Sequence, residues 1–210
     1  MGRFILIVLI LLVPSQALAA GCVGYSSERT FVVEERLVFV LSAILSEETT
    51  EKLLEIHHGV IKEYGAKNIT LERNEKGKWV LKIKSKTDAT ICCVPVHIDV
   101  AIALERRHAE LVVDTVGRVG RVQKSTMTFN VKKLKRTKTQ VTMKFDVVIW
   151  RRFPNTFRRM ASRIAYDRLN QLLYQSEQII RKAIPETKKE IIEKAYDITE
   201  EYLDLLLDNL

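Results

Sequence analysis

Between Phe157 and Ile184 the apolar side chains recur with a helical period. Phe157, Met160, Ala161, Ile164, Ala165, Leu169, Leu172, Leu173, Ile180 and Ala183 fall on one stripe. The stripe predicts a helix of about 30 residues, roughly 45 Å long, opened after Pro154-Asn155-Thr156. It is the one long apolar stripe in a chain patterned mostly for strands, so it is what remains to cover a sheet. Pro185 ends this helix and opens another, amphipathic and acidic, from Glu186 to about Asn209.

Upstream the period is two. Met127, Phe129 and Val131 alternate with Thr126, Thr128, Asn130 and Lys132, and Val141, Met143, Phe145 and Val147 answer them beyond a basic turn at Lys135-Arg136-Thr137-Lys138. That is a hairpin with one dry and one wet face. Further strands are expected at about 91–105, 108–119, 122–134 and 139–150, and a hairpin turns at Asn74-Glu75-Lys76-Gly77. The first strand is placed at Thr30 to Ala43. Ser46 followed by Glu47 and Glu48 predicts a helix start, and a stripe at 53, 54, 56, 57, 60, 61 and 64 carries that helix to Gly65 in the C′ position. The expected class is α+β: a curved seven-stranded antiparallel sheet clasped by a long C-terminal helix, plus an extra terminal helix. A bent sheet and a helix do not meet flush, so an apolar cavity between them is expected.

The amino terminus has the pattern of an export signal: Arg3, ten apolar residues from Phe4 to Val13, then Pro14 and the small-residue run Ala17-Leu18-Ala19-Ala20-Gly21-Cys22. A bilayer span needs roughly 20 apolar residues, so this core is short for a permanent anchor. Two cuts are open. Cleavage after Ala19 leaves Cys22 a bystander, whereas a lipoprotein-type cut makes Cys22 the first residue and its thiol the site of acylation. The expected divisions are a signal over 1–21, a tether over 22–29, a domain over 30–184 and an acidic helix over 185–210. The expected location is beyond the cytoplasm, at the cell surface or anchored on the outer side of the membrane. Of Cys92 and Cys93, neighbours in an extended segment, one is expected buried and one exposed.

The stretch Gly117-Arg118-Val119-Gly120-Arg121-Val122-Gln123-Lys124-Ser125-Thr126-Met127-Thr128-Phe129, the basic turn, Thr139-Gln140-Val141-Thr142-Met143-Lys144-Phe145-Asp146-Val147 and the long terminal helix together resemble the START-like helix-grip (SRPBCC) superfamily. Within it, carbon monoxide dehydrogenase G-like proteins are the nearest resemblance. It covers residues 117–184 in pattern and 30–116 in element order. Members enclose lipids, sterols, polyketides or other apolar molecules between helix and sheet, and some are cyclases. The resemblance therefore implies binding of an apolar ligand. The family usually has two short helices after its first strand, where one longer helix is expected here.

Catalytic signatures are missing: the chain has no G-x-S-x-G, H-E-x-x-H, phosphate-binding glycine loop or C-x-x-C. His57 and His58 diverge by about 100° on a helix, so no shared metal is expected. No enzyme activity, metal or cofactor is expected. Net charge is +8, and residues 118–163 hold fourteen Lys and Arg against Asp146 alone, while 186–210 hold eight acids and three lysines. The acidic helix is expected either to dock on the basic hairpin or to leave it free for anionic headgroups. An exported protein seldom meets nucleic acid, and no aromatic platform accompanies the basic residues, so nucleic acid is not an expected partner.

Two functions follow as expectations. In the first, the protein binds or carries a lipid-like ligand in a cavity lined by Met127, Phe129, Met143, Phe145, Phe157, Met160 and Ile164, with Cys22 as lipid anchor and the membrane surface as partner. In the second, a filled fold serves as a non-catalytic interaction module. Its basic face of Lys132, Lys133, Lys135, Arg136, Lys138, Arg151 and Arg152 binds a protein partner or anionic headgroups.

Overall fold

Alternation of apolar and polar residues builds the sheet. The computed structural model describes residues 21–119, 122–151 and 158–207. In chain order these form β1 (Gly21–Val33), α1 (Leu37–Leu45), α2 (Glu47–Glu55), β2 (Gly59–Arg73), β3 (Trp79–Ile91), β4 (Val94–Glu105), β5 (His108–Val119), β6 (Val122–Lys135), β7 (Lys138–Arg151) and α3 (Arg158–Leu207). The expected signal lies outside the described residues apart from Gly21.

All seven strands join one antiparallel sheet in the order β1-β7-β6-β5-β4-β3-β2. β2 to β7 form a meander of hairpins. β1 closes the far edge beside β7, so the chain crosses the whole sheet between β1 and β2, and α1 and α2 are that crossing. In the β6–β7 register Met127 faces Phe145, Phe129 faces Met143 and Val131 faces Val141. Phe129, Val131, Val141 and Met143 are at most 1% exposed, which makes this hairpin the floor of the core. Leu111 of β5, Val40, Ala43 and Ile44 of α1, and Leu169, Leu173, Ile180 and Ile184 of α3 complete it. Register shifts in β2–β3, β5–β6 and β6–β7 bend the strands and curve the sheet.

The grip of α3 is fastened along β1. Inward positions of that strand carry polar residues, and the helix matches them: Ser27 donates to Asn170, and Arg29 and Arg181 both donate to the buried Glu177. Arg181 also reaches the carbonyl of Val32 at 3.2 Å and lies over the ring of Phe31, 4.8 Å from its centroid. One turn past Ile184, Lys188 binds Glu35 at 2.6 Å. This is a helix-grip arrangement.

Several expectations are corrected. Residues 22–29 are strand rather than tether, each paired with β7. The first strand ends at Val33 instead of Ala43, because Leu37, Val40, Leu41 and Ile44 form a helical stripe that packs into the core and overrides the strand preference of the valines. Helix α2 starts where expected, with Ser46 accepting from the Thr49 amide at 3.3 Å, but ends at Glu55 instead of 64. His58 takes a left-handed backbone with φ 53°, and Gly59 opens β2. The two short helices that follow β1 thus match the superfamily pattern. Gly65 caps no helix. It lies in a bulge of β2, where a Cβ would stand 2.0 Å from the Lys86 carbonyl oxygen.

Pro185 breaks nothing. The terminal helical segment is present, but as the continuation of α3 in one helix of 50 residues. An interior proline costs about 3 kcal/mol, here offset by Ile180 and Ile184 in the core and by Lys188 on Glu35 and over the Phe39 ring. Lys188 on Glu35 and Lys138 on Glu34 bring the start of this segment to the β6–β7 end of the sheet, and none of the described ion pairs joins its acids to the basic turn. Cys92 and Cys93, finally, are both exposed, because they form the two-residue turn between β3 and β4 with φ 48° and 67°.

Candidate ligand cavity

Where α3 and the sheet part, a cavity of about 700 Å³ remains. Its floor is the dry face of the sheet, from Tyr25 on β1 across Val147, Phe129 and Val113 to Ile83 and Ile61 on the far strands. Leu53 and Leu54 of α2, with His57 in the turn that follows it, form one side of the roof, and Ala165, Arg168, Leu169 and Leu172 of α3 the other. The floor is largely apolar because the inward positions of these period-two strands are drawn mostly from the hydrophobic half of their sequence. Four hydroxyls, from Ser85, Thr87, Thr115 and Ser125, interrupt it.

Of the residues expected to line the cavity, Met127, Phe129 and Phe145 do so. Met143 points to the same face but is fully buried beneath the clamp, beside β1, and is core. Phe157 lies outside the described residues. Met160 and Ile164 are 59% and 60% exposed. The covered line of α3 runs through Ala161, Ala165, Leu169 and Leu172, and the two larger residues each sit one position, about 100°, to its side.

Sequence reasoning missed two polar wall residues, His57 and Arg168. The His57 ring meets Phe145 edge to face. Burial first, then the positive charge of Arg168 and His58, pushes its imidazole down to about 4, so it is neutral at pH 7. A histidine between Ile56 and His58, just past a short helix, gives no sign in sequence that a strand ring will cover it. His97 pairs instead with Asp88 on the outer face, and His108 with Asn130 at 3.1 Å. Among the described residues no group of three or more His, Cys, Asp or Glu is placed to hold a metal ion.

The expected basic face divides in two. Lys132, Lys133, Lys135 and Arg136 are exposed around the β6–β7 turn, Lys138 is tied to Glu34 at 2.5 Å, and the β4–β5 turn adds exposed Arg106 and Arg107, the Arg107 carbonyl accepting from the Lys133 amide. Arg151 lies at the other end of β7, thirteen residues and about 45 Å from Lys138, because the two begin and end the same strand. Arg152 lies outside the described residues. Cys22 is exposed on β1, its thiol 3.1 Å from Gln123 Oε1. No described helix is long and apolar enough to cross a membrane.

Searches of protein-family models and of curated proteins return no match. Solved structures share the outline. An aromatase/cyclase from Streptomyces sp. R1128 is similar at 11% identity over 80% of this chain and 96% of its own, with a TM-score of 0.42. A START superfamily protein from Mycobacterium smegmatis is 15% identical over 75% and 97%, with a TM-score of 0.40. Truncated norcoclaurine synthase from Thalictrum flavum is 11% identical over 79% and 96%, with a TM-score of 0.44. Such identities and scores carry nothing about chemistry. The chain's own topology, with β1 against β7, two short helices, a meander and a terminal helix across it, is the START-like helix-grip fold. The nearer resemblance to carbon monoxide dehydrogenase G-like proteins rests on sequence pattern alone.

Proposed function

We propose that this protein binds or carries an apolar, lipid-like molecule in the cavity between α3 and the sheet, beyond the cytoplasm and at a membrane. The observation that carries the reading is the cavity itself: about 700 Å³, floored by inward apolar side chains of all seven strands. Pockets of roughly 300–1,000 Å³ with few polar groups suit small apolar ligands. Met127 and Phe129 add soft and flat surfaces that adapt to shape. The export pattern at the amino terminus supports the location. Cys22 supports the anchor, because it is exposed and precedes Val23, which pairs with Ile149 at the end of the sheet reached by the cavity. An acyl chain there holds that end toward the bilayer.

Native mass spectrometry of the purified protein after exposure to a total lipid extract tests the reading. A discrete added mass that disappears on delipidation is expected; an unchanged mass under every condition rejects it. Separately, Cys22→Ser releases the protein from the membrane fraction if the anchor is real.

A second reading is favoured by the exposed cluster of Lys132, Lys133, Lys135 and Arg136 beside Arg106 and Arg107. In it, this end of the sheet meets anionic headgroups. Binding to phosphatidylserine vesicles that weakens steeply with salt supports it. Equal binding to neutral vesicles discards it.

A further inference from the structure

Charge on the cavity wall has one sign. Lys67 of β2 and Arg168 of α3 both contribute to the wall, and among the described residues that line it there is no Asp or Glu. Arg168 is exposed as a whole yet forms part of the lining, which places it at the rim, in reach of both water and the cavity. Its hydrogen-bond partner is Gln171, whose Oε1 accepts at 3.0 Å. A carboxamide is neutral, so this contact orients the guanidinium without compensating its charge. Inside the rim the same helix presents Leu169 and Leu172, and the floor beneath is Phe145 and Val147.

A cation at the lip of an apolar cavity divides possible ligands by charge. A wholly apolar ligand makes no use of Arg168. A cationic amphiphile meets like charge from Arg168 and Lys67. An anionic head at the rim keeps partial hydration, avoiding the cost of full desolvation, while the planar guanidinium offers paired donors suited to carboxylate and phosphate.

Building on the cavity reading above, we propose that the ligand is a single-chain anionic amphiphile, a long alkyl carboxylate or phosphate monoester, with its tail between α3 and the sheet and its head on Arg168. Lys67, on the opposite wall, adds to the positive field without being the docking group.

The test is calorimetric titration of the purified protein at pH 7 with dodecanoate, monododecyl phosphate, dodecanol and dodecylamine, each below its micelle concentration. At least one anion binds about tenfold or more tightly than dodecanol, and dodecylamine binds weakest, in line with the strength of a charged hydrogen bond. Whichever anion is tighter assigns the head as carboxylate or phosphate. Arg168→Gln, at an exposed position where folding is not at stake, narrows the anion-to-alcohol ratio to below about threefold, and Lys67→Gln narrows it less. Dodecanol matching both anions, or a ratio that survives Arg168→Gln, overturns the anionic head while leaving the apolar cavity standing. Failure of all four probes to bind overturns the cavity reading and this inference with it.

Discussion

The ring of His57 stands edge-on to that of Phe145, with centroids 5.4 Å apart and planes 88° from parallel. The turn after α2 and a strand some ninety residues later in sequence thereby close one side of the cavity. Burial there, with the charges of Arg168 and His58, holds the imidazole in its neutral form, at about 4 against a usual 6.5.

Stability should therefore depend on acid well before the carboxylates titrate. The folded pKa lies below the unfolded one, so the unfolded chain takes the proton first as pH falls. The contribution is whole above about pH 6.5 and shrinks toward pH 4, by at most about 3 kcal/mol. Urea unfolding at pH 7.5, 6.0 and 5.0 reads the slope. His57→Phe flattens it between pH 6.5 and 5; a slope of the same size in the variant assigns the loss elsewhere.

The clamp on β1 gives a second prediction. Burial pushes the Glu177 carboxyl up, but hydrogen bonds from Arg181 and Arg29 more than reverse this and hold it below the usual value. Its stabilisation is present above the unfolded carboxylate pKa and is lost as pH falls through the lower folded value. Glu177→Ala leaves two partly exposed guanidinium groups without their anion and, with solvent screening both, should cost about 1–3 kcal/mol. Glu177→Gln should cost less and lose part of the wild-type decline below about pH 4.5. Acid titration followed by near-ultraviolet circular dichroism separates the two.

Gly65 offers a third. A methyl group 2.0 Å from the Lys86 carbonyl oxygen has no flexible neighbour to displace, since the obstacle is backbone. Gly65→Ala should destabilise by at least about 1–3 kcal/mol. Amide exchange in β2 should rise before that in β6 and β7. An unchanged melting temperature would contradict the bulge.

Met143 and Met127 make a matched pair. Met143→Ala opens a void in a fully buried site and should cost about 2–5 kcal/mol while ligand affinity stays as it was. Met127 is only partly buried and lines the cavity. Met127→Ala should cost less stability and shift ligand affinity. Equal effects of both on affinity would mean that the cavity extends under the clamp.

Parts of the molecule were legible in the chain because one pattern had one meaning there. The β6–β7 hairpin alternates apolar with polar residues, and only a half-wetted strand does that. Its inward residues Met127, Phe129 and Phe145 were found by the same rule. The segment Leu37–Leu45 is apolar at eight of nine positions, so its helical period is hidden and β-branched Val38 and Val40 suggest a strand. The boundary between α2 and β2 was obscured because Val60 and Ile61 continue the helical stripe, and the left-handed turn was taken by His58 rather than glycine. Helical phase also failed at Met160 and Ile164: a broad apolar stripe does not tell which edge faces the sheet, and here Ala165 faces it. Arg168 was invisible for the opposite reason, since an arginine on a helix reads as solvent-facing until a cavity opens beside it.

The passage of α3 through Pro185 has a mechanical consequence. Residues of contrasting charge on either side of the proline belong to one continuous helix of 50 residues, about 75 Å along its axis. A tug or twist applied to the distal half passes along the helix to the Glu177 fastening, and from there to the strand that begins near Cys22.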